Sequence, residues 1–229
     1  MKNNNNIVSK SNELIQASYR LSLPEQRLVL CCLSKVDSSK EIPQKITLSA
    51  SEYADFTGVN MKKAYEQLYD AADRLFERKI EFVEGEKKRR YRWIQSDAKK
   101  VSGEGAVTLK WGDDILKYIS QLNNKFTSYK LKHVSSLTSV YSIRIYELLM
   151  QFNSTGKRII DVDELREVLG AKNKYRDFKG FNQHVISKAI KELNSRSDLT
   201  IEYETIKRGK FVHSILFNFK LSEQMKMDI

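Results

Sequence analysis

One order of elements occurs twice along these 229 residues: a helix, a short strand, a helix stopped by glycine, a longer helix, then a hairpin. The first pass covers about 24–94. Pro24 suits the opening position of a helix, where its missing N–H costs nothing, and Leu28, Cys31 and Cys32 recur at intervals of three and four. Polar residues around Pro43 precede the strand-like Lys45-Ile46-Thr47-Leu48. Ser49 or Ser51 can cap the helix carrying Tyr53, Ala54 and Phe56, and Gly58 can end it. A second helix over about 60–78 gathers Ala64, Tyr65, Leu68, Ala71, Ala72, Leu75 and Phe76 on one face. Ile80-Glu81-Phe82-Val83 then alternates as a strand does, Glu84-Gly85-Glu86 is turn-like, and Tyr91, Trp93 and Ile94 fall in the returning strand. Residues 107–111 read as a third strand and 113–122 as a helix.

The second pass covers about 139–220. Tyr141, Ile145, Leu148, Leu149 and Phe152 mark a helix that Gly156 ends, and 158–162 is a short strand. Asp161 or Asp163 can cap a helix with Leu165, Val168 and Leu169, stopped by Gly170. A basic turn at 171–176 leads into a long helix over about 177–195, with Phe178, Phe181, Val185, Ile186, Ala189, Ile190 and Leu193 inward. Segments 199–205 and 212–220 form a hairpin about Lys207-Arg208-Gly209-Lys210. A helix, a tight turn and a longer helix make a helix-turn-helix, and the hairpin after it reads as a wing. The halves share little identity, so the repeat lies in element order. The expected fold class is α+β, two tandem winged-helix domains: a flexible Asn-rich tail at 1–12, an N-terminal domain at 13–128 and a C-terminal domain at 129–229. Gly and Pro number only 9 and 2, which argues against a long flexible linker.

Charge decides the class of partner. Lys and Arg total 40 against 29 Asp and Glu, a formal charge of +11. Such a surface draws polyanions, nucleic acid first. Acidic membranes are the competing polyanion, but no long apolar run or lipidation motif supports them, so no membrane partner is expected. The N-terminus lacks the apolar stretch of a signal peptide. Cys31 and Cys32 are adjacent, poorly placed for a structural disulfide, and read as packing residues of a helix core. A cytoplasmic protein is the expectation.

Lys87, Lys88, Arg89 and Arg90, in the run Lys87–Arg92, are expected at the tip of the first hairpin, and a wing tip of that charge can lie along a phosphate backbone. Arg208 and Lys210 flank Gly209 at the equivalent tip of the second. Base reading falls to the second long helix, because an α-helix fits the major groove and residues near its N-terminus reach the base edges. Its outward face offers Lys179, Asn182, Gln183, His184, Ser187 and Lys188, with Lys174 and Arg176 in the turn before it. Asn and Gln can make two-point bonds to adenine, and Lys can bond guanine. The first long helix offers Lys62, Lys63, Gln67 and Arg74, diluted by Glu66 and Asp70, which suits backbone contact. A solvated turn or an ordinary polar helix face remains the plain alternative for each.

Nothing beside these residues has the spacing of a catalytic or metal site. His133, His184 and His213 are far apart in sequence, and Cys31-Cys32 is unlike a zinc half-site. There is no phosphate loop and no dinucleotide fingerprint, and Gly103-Glu104-Gly105 reads as a loop. No His-x-His pair stands near a Tyr nucleophile, as a nicking nuclease would need. Asp113-Asp114 and Asp161-x-Asp163-Glu164 open helices, where acids favour the positive dipole end. No enzymatic activity, metal or cofactor is expected.

Ser9-Lys10-Ser11-Asn12-Glu13-Leu14-Ile15, Leu21-Ser22-Leu23-Pro24-Glu25-Gln26-Arg27-Leu28, and Ala64-Tyr65-Glu66-Gln67-Leu68 followed by Ala71-Ala72-Asp73-Arg74-Leu75-Phe76-Glu77-Arg78 stand in a particular order. Tyr141-Ser142-Ile143-Arg144-Ile145-Tyr146-Glu147-Leu148-Leu149, Asp163-Glu164-Leu165-Arg166 and Ala189-Ile190-Lys191-Glu192-Leu193-Asn194 continue it. Taken together they resemble the plasmid replication initiators that bind iterons, over about 7–219. The resemblance implies two winged-helix domains straddling a repeated origin sequence in double-stranded DNA. The C-terminal domain would read bases in the major groove, while the N-terminal domain supplies backbone contacts and a dimer interface. It further implies that monomers initiate, that a homodimer in exchange with monomer represses the initiator's own promoter, and that host initiator, helicase and chaperones are partners. Carried over, the major-groove role falls on Lys179, Asn182, Gln183 and His184. Relatives can carry an Arg-rich stretch where this chain has Asn182-Gln183-His184, which favours adenine over guanine here. The competing readings are a dedicated transcriptional repressor of the same fold, an origin-nicking nuclease, and a non-specific nucleic-acid packing or RNA-binding protein.

Overall fold

A computed structural model describes residues 6–99, 105–122 and 125–222, and chain contacts divide it into two units, 1–135 and 136–229. The first unit runs β1 (Ile7–Ser11), α1 (Asn12–Gln16), β2 (Ser18–Tyr19), α2 (Leu23–Ser34), β3 (Lys45–Ser49), α3 (Ala50–Thr57), α4 (Met61–Glu77), β4 (Lys79–Glu84) and β5 (Lys87–Arg92). It continues with β6 (Ile94–Lys99), β7 (Ala106–Trp111), α5 (Asp113–Leu116), β8 (Phe126–Lys130) and α6 (Lys132–Ser135). Residues 7–11 depart from the expected loose tail. They pair antiparallel with β8, Ile7 opposite Lys130 through Ser11 opposite Phe126, and bury Val8 and Lys10. The partner strand lies far downstream, so a local reading could not find it.

α2 is the centre of this unit, with Leu28, Val29, Leu30, Cys31, Cys32 and Leu33 all buried. At its start the Glu25 carboxylate accepts the Ser22 N–H at 2.9 Å. The same carboxylate takes two bonds from the Arg78 guanidinium, at 2.9 and 3.0 Å, which ties the start of α2 to the end of α4. Ser49, not Ser51, caps α3: its hydroxyl accepts the Glu52 N–H at 3.1 Å, and the Glu52 carboxylate accepts the Ser49 N–H at 2.8 Å, a reciprocal capping box. Gly58, at φ +69°, makes the left-handed turn that only glycine enters freely. The Asn60 side chain then accepts the Lys63 N–H at 3.0 Å to start α4. The predicted helix-turn-helix is present. The helix expected over 113–122 is regular only in α5.

The second unit runs α7 (Val140–Met150), β9 (Lys157–Asp161), α8 (Val162–Val168), α9 (Phe178–Phe181), a π-helical turn (Asn182–Ile186), α10 (Ser187–Arg196), β10 (Leu199–Arg208) and β11 (Phe211–Leu221). Its core holds charge as well as hydrocarbon. Arg144 and Glu147, both buried, pair at 3.0 Å. Glu192 on α10 accepts the backbone N–H groups of Thr138 and Ser139 at 2.7 and 3.2 Å and the Ser142 hydroxyl at 2.5 Å. It thereby satisfies donors that α7 leaves open at its start. Asp161 stands before α8 but turns its carboxylate to the Ser214 hydroxyl, 2.5 Å away on β11.

Strand pairing corrects one expectation. In the second unit the sheet order is β10–β11–β9, so the strand before the helix pair lies against the last strand of the wing. In the first unit the corresponding strand, β3, lies against β7, and β7 against β6. The wing of the first unit is therefore the β6–β7 hairpin. The β4–β5 hairpin, which reads from sequence as the wing, is an insertion in a separate sheet of order β2–β4–β5. Its tip is Glu84-Gly85-Glu86, with Gly85 at φ +61°, and the basic run Lys87–Arg92 is the strand β5. The chain crosses from one sheet to the other at Trp93, which is wholly buried, as is Trp111. Of the residues joining β6 to β7, 100–104, including Gly103 and Glu104 of the predicted loop, lie outside the described residues.

Candidate nucleic-acid interface

The long helix of the second unit is placed by residues at both ends. Asp177 caps it, Oδ1 accepting the Gly180 N–H at 2.6 Å. Phe181, Val185, Ile186, Ala189, Ile190 and Leu193 are buried as the periodicity predicts, and Phe178 is half-buried. At the far end Asn194 exchanges two bonds with the backbone of Ile201, at 2.9 and 2.7 Å, fixing α10 to β10. Of the six residues expected to face outward, Lys179, Gln183, His184 and Lys188 are exposed. Asn182 and Ser187 are half-buried and both turn to the Tyr203 hydroxyl on β10, at 2.9 and 2.8 Å. They are held by the wing rather than offered to a groove.

The turn before this helix is built by a residue that the pattern did not single out as functional. Arg166 on α8 is buried and donates to the carbonyls of Lys174, Tyr175 and Asp177 at 3.0, 2.6 and 2.9 Å. Its guanidinium lies 4.3 Å from the Phe181 ring centroid, a cation–π contact. Tyr175 is held at φ +58°, a conformation that non-glycine residues seldom adopt, and its ring stacks on His184 with centroids 5.5 Å apart. Lys174 is half-buried, Nζ 3.4 Å from the Tyr141 hydroxyl, while Arg176 is exposed. Arg166, Tyr175 and Tyr203 were missed because spacing shows which face a residue takes, not which carbonyl or hydroxyl it meets.

The wing of the second unit presents Arg208 and Lys210, both exposed, about Gly209 at φ +63°. In the first unit Lys62 and Lys63 are exposed in the opening turn of α4, and Arg74 is exposed about 18 Å further along the axis. Gln67 is half-buried, with the Tyr53 hydroxyl 3.5 Å from its Oε1. On β5, side chains alternate between faces, so Lys88 and Arg90 share one face and Lys87 and Arg89 the other. Lys88 pairs with Glu81 at 3.1 Å. These cations therefore form no single rail. Tyr65, expected inward, is 40% exposed. It stacks on Tyr69 at 4.3 Å over Gly105, where a Cβ would have no room. Among the described residues no helix is long and apolar enough to cross a membrane.

The chain is similar to known proteins along nearly its whole length. Residues 7–150 match the family described as Initiator Replication protein, WH1, and residues 161–219 match Initiator Rep protein, WH2. A replication initiation protein of Escherichia coli is 31% identical over 234 residues, covering 96% of this chain and 72% of that protein. The PI protein of Escherichia coli is 27% identical over 93% of this chain and 82% of its own length. Among solved structures, the Pi initiator protein in complex with iteron DNA superposes with a TM-score of 0.82 at 26% identity, over 96% of this chain and 99% of that one. Domains 2 and 3 of RctB share the fold, with a TM-score of 0.54 at 13% identity. Matched by both models and across both units, the chain belongs to the initiator replication protein family and is built of two tandem winged-helix domains.

Proposed function

We propose that the chain initiates replication of a plasmid by binding repeated double-stranded sequences, iterons, at the origin. The observation that carries this is the exposed face of Lys179, Gln183, His184 and Lys188 at the start of the second unit's long helix. It stands in a chain similar over its length to an initiator solved with iteron DNA. Residues near the start of such a helix reach base edges, and Gln183 suits adenine. Arg176, Arg208 and Lys210 flank that face with charge for the phosphates. In the first domain, taken as 13–128, Lys62, Lys63, Arg74 and the cations of β5 supply backbone contacts. The second, 129–229, reads sequence.

A homodimer in exchange with monomer represses the chain's own promoter, and host initiator, helicase and chaperones are its partners; the family resemblance supports these parts. No strand cleavage belongs to the mechanism; the reading rests on a sequence in which no His-x-His pair stands near a Tyr nucleophile.

The test is binding to short duplexes tiled across the DNA upstream of the chain's own gene, against random duplex at physiological salt. Tight binding to a short direct repeat is expected. Gln183→Ala should weaken binding to the repeat by about 1–3 kcal/mol and leave random duplex alone. Arg208→Ala should weaken both alike and lower the salt slope by about 1. Equal affinity for every duplex would sink the reading. Supercoiled origin DNA incubated with the protein and Mg²⁺ should stay closed, and nicked circles would overturn the non-enzymatic part.

A further inference from the structure

In an α-helix, residues five apart point about 140° away from each other. Asn182 and Ser187 are five apart, yet both side chains reach one atom, the Tyr203 hydroxyl. Tyr203 donates to Asn182 Oδ1 at 2.9 Å. With that single proton engaged, the Ser187 hydroxyl, 2.8 Å away, donates to the phenol oxygen. The π-helical turn makes this possible. The Ser187 N–H reaches back to the Asn182 carbonyl, one residue further than in an α-helix, and the widened turn brings 182 and 187 nearly into line. The same widening aligns Gln183 with Lys188 on the outward side, beside His184.

We propose that Tyr203 is a positioning residue for base reading: its hydroxyl clasps the π turn, and the turn sets the angle at which Gln183, His184 and Lys188 meet the DNA. The proposal rests on the functional reading above. Both flanks of the turn are fixed independently. Before it, Arg166 holds the Asp177 carbonyl at 2.9 Å and Phe181 is wholly buried. After it, Asn194 is bonded to Ile201 and Leu193 is wholly buried. Register can slip only between these points. Converting the turn to regular α-helix would rotate one flank by about 100° against the other, so the outward side chains would no longer share a face.

Tyr203→Phe removes the hydroxyl and keeps the ring beside Phe217, 6.0 Å between centroids. Two measurements on the full chain decide the matter. In free protein, hydrogen exchange at amides 182–188 should quicken by roughly fivefold to tenfold, with 189–196 unchanged. On DNA, the ratio of repeat to random-duplex affinity should fall about tenfold. Random-duplex affinity and salt slope should stay the same, since no phosphate contact is lost. In a Gln183→Ala background, Tyr203→Phe should cost clearly less than it does alone, because part of its effect passes through Gln183. Unchanged exchange overturns the clasp. Faster exchange with an unchanged ratio, or full additivity, overturns its part in reading. If the unsubstituted protein shows no preference for the repeat, the functional reading falls instead, and the exchange result still decides the clasp.

Discussion

Glu25 is a carboxylate with no exposed surface, and its oxygens are all engaged, by Ser22 and by both arms of the Arg78 fork. Glu25→Ala strands that arrangement. Because Arg78 is part-exposed and can rehydrate, the expected loss is on the order of 2 kcal/mol rather than the full cost of a deeply buried pair. Urea unfolding measures it, and a change within about 0.5 kcal/mol would mean the pair is ornamental. Cys31 and Cys32 are free and buried. Burial pushes the Cys32 thiol up to about 12 and the Cys31 thiol well above its ordinary value. Both stay protonated near neutral pH, and a thiolate is the reacting form. A thiol reagent should therefore label neither until the protein is unfolded; rapid labelling of native protein would contradict the core role. That the cysteines belong to a core was legible from their spacing. The Glu25–Arg78 tie was not, since its partners stand at opposite ends of two helices.

At the scale of elements, the glycines and caps join neighbours that sequence order alone leaves apart. Gly156 sits at φ +63°, and a Cβ there would stand 2.6 Å from the Phe219 carbonyl oxygen. Gly156→Ala should destabilise the second unit by roughly 2 kcal/mol through backbone strain and that clash, read as a lowered Tm. Glu192 links α10 to the start of α7. Burial alone would raise its pKa, but hydrogen bonds from Ser142, Thr138 and Ser139 outweigh it and hold the carboxyl below its ordinary range. A depressed carboxylate contributes stability that is fully present above its unfolded value of about 4.3 and is lost as pH falls through the lower folded value. Stability should therefore decline across that acid window, and Glu192→Gln should flatten the decline. An acid limb identical in both proteins would remove Glu192 from the account. Ala189 to Asn194 reads from sequence as a helix core; the roles of Glu192 and Asn194 appear only once α7 and β10 are beside them.

Across the whole molecule, the excess of 40 basic over 29 acidic residues makes counterion release a large part of any binding to duplex. Raising salt from about 50 to 200 mM should weaken binding to repeat and random duplex alike, on the order of a thousandfold if six or more phosphates are contacted. The preference for the repeat should persist across that range. Titrations at several salt concentrations test this, and a flat response would show that the basic surface is not the DNA-facing one. A covalent tandem also raises the local concentration of each domain once the other is bound, which suits one chain engaging one repeat.

Periodicity, caps and net charge by themselves determined that this chain forms two helix-turn-helix units with hairpins and a surface that draws nucleic acid. Those signals are local: a 3.6-residue apolar stripe, a serine before a helix, a glycine after it. Tertiary structure decided the rest. Pairing of β3 with β7 made β6–β7 the first wing and β4–β5 an insertion, because neighbouring hairpins look alike until the third strand chooses between them. The Tyr203 hydroxyl bonds Asn182 and Ser187, while Gln183, His184 and Lys188 are exposed. Tyr203 lies on β10, the strand that follows the helix, and no helical period records where the next strand's side chain will land.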